Sequence, residues 1–239
     1  MTVLTVFQFV NQLVDFCLGF SKQKYTARGC PRCPFACPYE LEVTTGPHKG
    51  YVATISGGSE VLEGAGAVLG ITEPGTIFYM ADLYDRLGVE ASMAGCTMAM
   101  AIEAYEKGLI TAEDTDGLEL RWGDAEVAEK LFRKYVHREG CGDILARGVL
   151  RAAEVIGGEA PSFAVHIKGS SMNLHDWRAA WGTFLGHLVS AGAGWPAPGA
   201  DFLAEPDMGY KTLSDRFDRR GKPLEVKKTG IMKFMNDCI

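Results

Sequence analysis

Three cysteines lie close together near the beginning of the chain, in the string Cys30-Pro-Arg-Cys33-Pro-Phe-Ala-Cys37. Spacings of three and four residues let three thiolates converge on one metal ion or cluster from a single loop. A cubane iron–sulfur cluster needs four ligands, and the fourth is usually remote in the sequence. The spacing therefore favours a [4Fe-4S] cluster bound through Cys30, Cys33 and Cys37.

Two other interpretations of these cysteines stay open, namely a zinc site and unligated thiols. Structural zinc sites favour two separated ligand pairs, and the sequence has no second C-x2-C and no matching His pair. The other cysteines, which are candidates for a fourth ligand, are Cys17, Cys96, Cys141 and Cys238. Cys96 and Cys141 lie in or beside apolar helical stretches, which favours burial over ligation.

The bulk composition is that of a folded soluble protein. The chain has 239 residues, 47% of them hydrophobic, and a net charge of −6. This acidic balance argues against nucleic acid or an anionic membrane as the main partner. Residues 1–24 form an apolar but interrupted lead-in, without the basic start of a secretory signal, and we interpret it as a buried helix or a start that is not native. We expect a cytoplasmic protein.

The periodicity predicts a mainly helical fold with one small β-hairpin. Apolar and polar residues partly alternate in Tyr39–Val43 and Tyr51–Ile55, on either side of a turn-rich stretch. A glycine-rich passage follows, and after it the pattern becomes helical. The predicted helices run from about Thr72 to Gly88, Ser92 to Lys107, Asp124 to Glu139, Asp143 to Ile156, Trp177 to Ser190 and Leu224 to Asn236. A short strand is predicted at Phe163–Ile167, and a long loop at Ala191–Gly209.

Several strings in this order resemble the aldehyde ferredoxin oxidoreductase family. They are the three cysteines after Lys24-Tyr25, the segment Asp85-Arg-Leu-Gly88-Val89-Glu90, and the long match from Ala101 to Asp124. The order continues with Gly142-Asp143 to Gly148, His166-Ile-Lys-Gly169 and His175-Asp-Trp-Arg178. The resemblance begins at about Tyr25, and the chain covers well under half of a family member.

The resemblance implies a set of cofactors and ligands. In this family a tungsten or molybdenum ion lies between two pterin dithiolenes, beside a [4Fe-4S] cluster. Cys30, Cys33 and Cys37 would be three of the cluster ligands. Asp85, Gly88, Val89 and Glu90 would form one of two pterin-contacting D-x-x-G-L-(D/C) motifs, with Val for Leu and Glu for the usual Asp. The fourth ligand is then expected beyond Ile239, in a motif that begins at Asp237.

Catalytic residues are less clearly indicated. Glu60 and Glu63 lie near the position of the family's active-site Glu, and we prefer Glu60. The family's Gly-rich segment with a His corresponds to Ser190–Trp195, which has none. Of the five histidines, the three in the later part of the chain, His166, His175 and His187, are interpreted as structural. Since this departure weakens the case for aldehyde oxidation, a benzoyl-CoA reductase type of catalytic subunit stays an alternative.

We therefore expect part of an oxidoreductase that acts on an aldehyde or related small molecule and passes electrons to ferredoxin or a similar carrier. Two alternatives of other classes are a stand-alone iron–sulfur electron-transfer subunit and a zinc-stapled module. The expected domains are the lead-in 1–24, an iron–sulfur and pterin-contacting helical domain 25–157, and the truncated start of a second helical domain 158–239. The oligomeric state is left open, with a homo-oligomer among the options.

Overall fold

A three-stranded antiparallel sheet opens the part of the chain that the structure describes. The computed structural model describes residues 24–28, 38–55, 59–171, 174, 181–189, 218–224 and 226–227. The strands are β1 (Lys24–Ala27), β2 (Tyr39–Glu42) and β3 (Val52–Ile55), in the order β1-β2-β3. The β2–β3 hairpin confirms the predicted one. β1 was not predicted, because four residues of weak alternation are a poor strand signal.

Helices predominate in the remaining described residues of the first of two compact units, Met1–Val165. They are α1 (Ser59–Ala65), α2 (Pro74–Arg86), α3 (Ala91–Glu106), α4 (Ala125–His137), α5 (Cys141–Leu145), α6 (Val149–Ile156) and α7 (Ala160–Phe163). A short 3-10 turn, Ala67–Leu69, follows α1. The predicted class, mainly helical with a small antiparallel sheet, is confirmed.

The inner face of the sheet packs on α2, and α3 lies at the centre of the helices, in contact with α1, α4 and α6. Leu41, Val43, Ala53 and Ile55 are fully buried on this face, at alternate positions of their strands. α3 is rich in Ala and Met and is buried over most of its surface, as expected for a central helix.

The ends of three helices follow from local cap chemistry and agree with the predicted bounds. α2 begins with Pro74 in its first turn, and Asp124 caps α4 by accepting a hydrogen bond from the backbone N–H of Val127 at 3.0 Å. α3 begins and ends within one residue of its predicted bounds. These signals are local in sequence, so they could be recognised without the fold.

Two predicted elements are wrong. The helix expected from Asp143 to Ile156 is divided into α5 and α6, because Gly148 between them has φ +92°. Asp143, the predicted start of this helix, lies inside α5. The strand expected at Phe163–Ile167 is absent from these described residues. Phe163 ends α7, which has a proline in its first turn, and Ile167 makes one isolated bridge to Ser170.

The second unit, His166–Ile239, is described only in part. It contains α8 (Trp181–Val189), within the predicted helix, while the predicted long loop at Ala191–Gly209 lies outside the described residues. Residues 222–224 and 226–227 are helical, and most of the predicted helix to Asn236 is outside the described part. No helix among the described residues is long and apolar enough to cross a membrane.

Candidate cofactor and metal site

The segment with the three cysteines joins β1 to β2. Cys30, Cys33 and Cys37 lie in residues 29–37, outside the described residues. Both ends of the segment are described: the backbone N–H of Arg28 donates to the carbonyl of Pro38 at 2.7 Å. The segment thus starts and ends at one hydrogen-bonded pair, at one end of the sheet.

The helix that carries Glu60 follows from the same end of the sheet. The register pairs Ala27 with Tyr39, and Tyr39 with Ile55, the last residue of β3. α1 begins four residues after Ile55. Glu60, in its first turn, is half-buried, as is Glu63 one turn later. The cysteine segment and the helix of Glu60 therefore both follow from the same end of the sheet.

α1 touches the beginning of α3 backbone to backbone. A Cβ added at Gly64 would lie 2.4 Å from the carbonyl oxygen of Ala91, and one added at Gly95 would lie 2.3 Å from the carbonyl oxygen of Gly64. Such distances leave no room for any side chain at either position. Two glycines thus fix the helix of Glu60 against the residues that directly follow Glu90.

The segment Asp85–Glu90 is the corner between α2 and α3. Gly88 has φ +70°, and its N–H donates to the Asp85 carbonyl at 3.1 Å. The N–H of Val89 donates to the Tyr84 carbonyl at 3.0 Å, which completes a Schellman ending of α2. A Cβ at Gly88 would meet nothing within 4 Å, so glycine is required here by the backbone conformation and the space above it is open.

Glu90 is the N-cap of α3. Its carboxylate accepts from the backbone N–H of Ser92 at 3.0 Å and of Met93 at 2.6 Å. These bonds satisfy two of the free donors at the start of the helix. An ionised carboxylate has about four lone-pair sites, so Glu90 retains the capacity to accept from a ligand as well.

The corner fits a cofactor that presents hydrogen-bond donors, as the aminopyrimidine ring of a pterin does. Asp85 and Gly88 are exposed, while Val89 is half-buried against the core. Asp85 and Glu90 would hold the pterin as acceptors, and the open backbone at Gly88 would let it approach closely.

The described cysteines of the helices are poor candidates for metal ligands. Burial and then the charge of Glu90 raise the pKa of the Cys96 thiol to about 12. Burial and a hydrogen bond with Asp116 raise the pKa of the Cys141 thiol to about 11. Both thiols are therefore protonated near neutral pH, whereas metals bind thiolates. Among the described residues, no three His, Cys, Asp or Glu side chains are grouped to hold a metal ion.

A buried carboxylate beside the corner was not predicted. Asp82 in α2 is 1% exposed and accepts from the Tyr51 hydroxyl at 2.5 Å, the Thr54 backbone N–H at 2.8 Å and the Arg86 Nε at 2.5 Å. Burial, followed by the bond to Asp82, raises the pKa of Tyr51 above its usual 10.0. The only local signal for this cluster was the i,i+4 spacing of Asp82 and Arg86.

The candidate histidines belong to the second unit. The Nδ1 atom of His166 accepts from the backbone N–H of Gly169 at 3.4 Å, across the turn closed by Ile167 and Ser170. His187 in α8 is fully buried, and His175 lies outside the described residues. These environments agree with the structural interpretation of His166 and His187.

A separate cavity of about 190 Å³ lies between the later helices of the first unit. Its lining is mostly aliphatic and includes Ala101, Leu131, Ile144 and Ile156. Cys141, a poor candidate for a metal ligand, is among the lining residues, whereas Glu60 and the corner residues Asp85–Glu90 are not. The corner, rather than this cavity, is therefore the candidate cofactor site.

Comparison with known proteins gives a family match over nearly the whole chain. The model for "Aldehyde ferredoxin oxidoreductase, domains 2 & 3" matches residues 16–239. The chain belongs to the aldehyde ferredoxin oxidoreductase family. The matched range includes the cysteine segment, the helix of Glu60 and the Asp85–Glu90 corner.

Its relatives in this family differ in their named substrates. The chain is 37% identical over 151 residues to an aliphatic sulfonate oxidoreductase, WOR-like subunit, of Pyrococcus furiosus, covering 62% of the chain and 24% of the relative. It is 31% identical over 204 residues to the tungsten-containing aldehyde ferredoxin oxidoreductase of Thermococcus kodakarensis, covering 82% and 31%. The P. furiosus enzyme of that name is 33% identical over 200 residues, with 82% and 31% covered. The chain thus spans about a quarter to a third of these relatives.

One solved structure has the same fold. The active site complex BamBC of benzoyl coenzyme A reductase, bound to 1,5-dienoyl-CoA, superposes with a TM-score of 0.54 at 26% identity. The superposition covers 65% of this chain and 23% of that one. The helical architecture is therefore shared with a protein named for a different reaction.

Proposed function

We propose that this chain is the cluster-binding and pterin-contacting part of a tungsten or molybdenum oxidoreductase that oxidises aldehydes to carboxylic acids. The observation that carries the proposal is the convergence at one end of the sheet. The cysteine segment and the helix of Glu60 both start there, and Gly64 and Gly95 join that helix to the corner ending in Glu90. Family membership supports the same conclusion.

Each predicted residue has a defined role in this proposal. Cys30, Cys33 and Cys37 supply three thiolates to a [4Fe-4S] cluster, and the fourth ligand comes from elsewhere. Asp85 and Glu90 accept hydrogen bonds from a pterin, with Gly88 and Val89 shaping the corner. When bound, the metal–pterin centre and the cluster supply the redox chemistry, and the protein controls position and protons.

The overall reaction is aldehyde plus water giving carboxylic acid, two protons and two electrons. When bound by Cys30, Cys33 and Cys37, the cluster would supply one-electron transfer to ferredoxin or a similar carrier in the cytoplasm. Glu60 is the candidate acceptor of a proton from the attacking water. Its half-buried position in the first turn of α1 suits a carboxylate that must remain reachable from solvent.

A second candidate substrate class is the aliphatic sulfonates. The relative named for that activity is more similar, at 37% identity, than the aldehyde oxidoreductases at 31% and 33%. Reduction of an aromatic thioester is less well supported, because the benzoyl coenzyme A reductase complex is 26% identical. The substrate assay should therefore test aldehydes and aliphatic sulfonates with one electron acceptor, and benzoyl-CoA with a low-potential electron donor.

The first test is metal content after anaerobic purification. We expect iron and acid-labile sulfide in about 4:4 proportion in the oxidoreductase that contains this chain, together with tungsten or molybdenum. Single Ser variants at Cys30, Cys33 and Cys37 should lose the iron, while Cys141→Ser is the matched control and should keep it. Stoichiometric zinc without iron would overturn the proposal. Iron without tungsten, molybdenum or pterin would instead indicate the stand-alone electron-transfer subunit.

A further inference from the structure

The buried Asp82 carboxylate joins helix α2 to the sheet. Its Oδ2 atom accepts from the Tyr51 hydroxyl and from Arg86 Nε, both at 2.5 Å, and its Oδ1 atom accepts from the Thr54 backbone N–H at 2.8 Å. A carboxylate that is 1% exposed is costly to bury unless its oxygens are hydrogen-bonded. Here both oxygens are bonded, by groups of two different elements.

These bonds run between the sheet and the helix that leads to the corner. Thr54 lies in β3, Tyr51 directly precedes that strand, and Asp82 lies in α2, one turn before Asp85. Through the strand register, β3 is paired with β2, whose first residue follows the cysteine segment. Asp82 is thus a polar connection from the cysteine-bearing sheet to the Asp85–Glu90 corner.

Apolar packing alone would not fix this arrangement. The sheet also packs on α2 through fully buried residues such as Leu41 and Ala53. Burial of apolar surface is non-directional, so it tolerates small sliding of one element over the other. Hydrogen bonds have narrow limits of distance and angle, and therefore define one position of helix α2 relative to the sheet.

We infer that Asp82 is a positioning residue, which sets the distance between the cysteine-bearing sheet and the cofactor corner. It need not touch either cofactor to do so. The consequence for chemistry rests on the proposed function, because the distance matters only if a cluster and a pterin occupy the two places. The distance between the sheet and the corner is a property of the polypeptide and can be measured without either cofactor.

The experiment measures that distance in solution. Ketone-bearing residues introduced at Glu42 of β2 and Met93 of α3, both exposed, accept spin labels without using the cysteines. Pulsed dipolar EPR on the full chain then gives the distribution of label distances. In Asp82→Asn we expect a distribution at least twofold broader than in the unsubstituted chain, with the helical circular dichroism retained.

The matched control is Glu129→Gln. Glu129 accepts from the hydroxyl of Tyr79, also on α2, at 2.9 Å, but it connects α2 to α4 and not to the sheet. This variant should leave the distribution at its original width. An unchanged width in Asp82→Asn would overturn the inference, and so would equal broadening in both variants, since that indicates general loosening.

A second variant keeps the inference testable if Asp82→Asn does not fold. Tyr51→Phe removes one donor and leaves the carboxylate, so an intermediate broadening is expected and an unchanged width overturns the inference. Iron, tungsten and molybdenum are measured on the same samples, so that failure of the positioning role can be distinguished from failure of the proposed function. Broadening in a chain that never carries these metals supports the positioning role and refutes the proposed function.

Discussion

Adding one methyl group at Gly64 should separate two helices of the site. The Cβ of Gly64→Ala would lie 2.4 Å from the Ala91 carbonyl oxygen and 2.8 Å from the Ser92 nitrogen. Ordinary van der Waals contact begins near 3.4 Å, so α1 and α3 must move apart by about 1 Å. Because the contacted atoms belong to the backbone of α3, no side-chain rotation can relieve the contact.

The expected cost follows from two opposing effects. Overpacking of a tight contact costs about 1–3 kcal/mol, and an unyielding backbone contact puts Gly64→Ala near the upper end. Alanine favours a helix over glycine by about 1 kcal/mol. The net loss in free energy of unfolding is therefore about 2 kcal/mol, which for a chain of this size corresponds to a fall of about 4–8 °C in Tm.

Urea unfolding measured by circular dichroism gives the loss directly, from the midpoint at unchanged slope. Ala99→Gly, at a half-buried position of α3, is the control for helix propensity and should cost about 1 kcal/mol. Gly64→Ala/Gly95→Ala should cost less than the sum of its single variants, by about 0.5–3 kcal/mol, because one separation accommodates both methyl groups. A neutral or stabilising Gly64→Ala, or strict additivity, would refute this reasoning.

Three further predictions concern groups whose protonation the fold changes. Glu90→Gln removes a negative charge beside Cys96, so the pKa of that thiol should fall below about 12, while burial keeps it above 9.0. The pH profile of iodoacetamide alkylation measures this pKa, and an unshifted profile contradicts the prediction. The pKa of Asp116 lies below its usual 3.8 because of a backbone N–H bond and Lys134, so its stabilisation is complete above pH 3.8 and is lost as the pH falls below that value. Asp116→Asn should therefore flatten the acid limb of a stability-against-pH curve, and an unchanged limb would argue against this role. Burial raises the pKa of Tyr84, whose neutral hydroxyl contacts the sulfur of Met98. Tyr84→Phe should therefore change the free energy of urea unfolding by less than about 1 kcal/mol, whereas Tyr84→Ala should lower it by about 3–5 kcal/mol. A Phe variant as unstable as the Ala variant would be inconsistent with this prediction.

Features that depend on neighbouring residues could be predicted from the sequence. The bounds of α2, α3 and α4 follow from Pro74, Gly88 and Asp124, each within a few residues of the helix end it determines. The cap role of Glu90 was not predicted, because Glu is not among the preferred N-cap residues. α1 was missed for a related reason, since glycines around it indicate loops when their packing partners are unknown.

Features that join distant parts of the chain could not be predicted. Asp82 meets Thr54 and Tyr51 across 28 and 31 residues, and Gly64 meets Gly95 across a similar separation. Such pairs leave no periodic signal in a single sequence. The family resemblance indicated Glu60 and the corner as separate motifs, but only the fold brings α1 against the beginning of α3.

The geometry of the corner is compatible with the two departures from the motif that the family resemblance implies, namely Val89 for Leu and Glu90 for Asp. At Glu90 the requirement that the structure imposes is an acceptor for the Ser92 and Met93 N–H groups, which either an Asp or a Glu side chain can meet. At Val89 the backbone N–H completes the Schellman ending, and the side chain is only half-buried against the core, so the exact apolar shape matters less. Gly88 is different, because its φ of +70° strains any other residue by about 1–2 kcal/mol. The backbone geometry of the corner therefore depends on Gly88 and on an acidic residue at position 90, and a cofactor held there would contact much the same backbone with Val89 and Glu90 as with Leu and Asp.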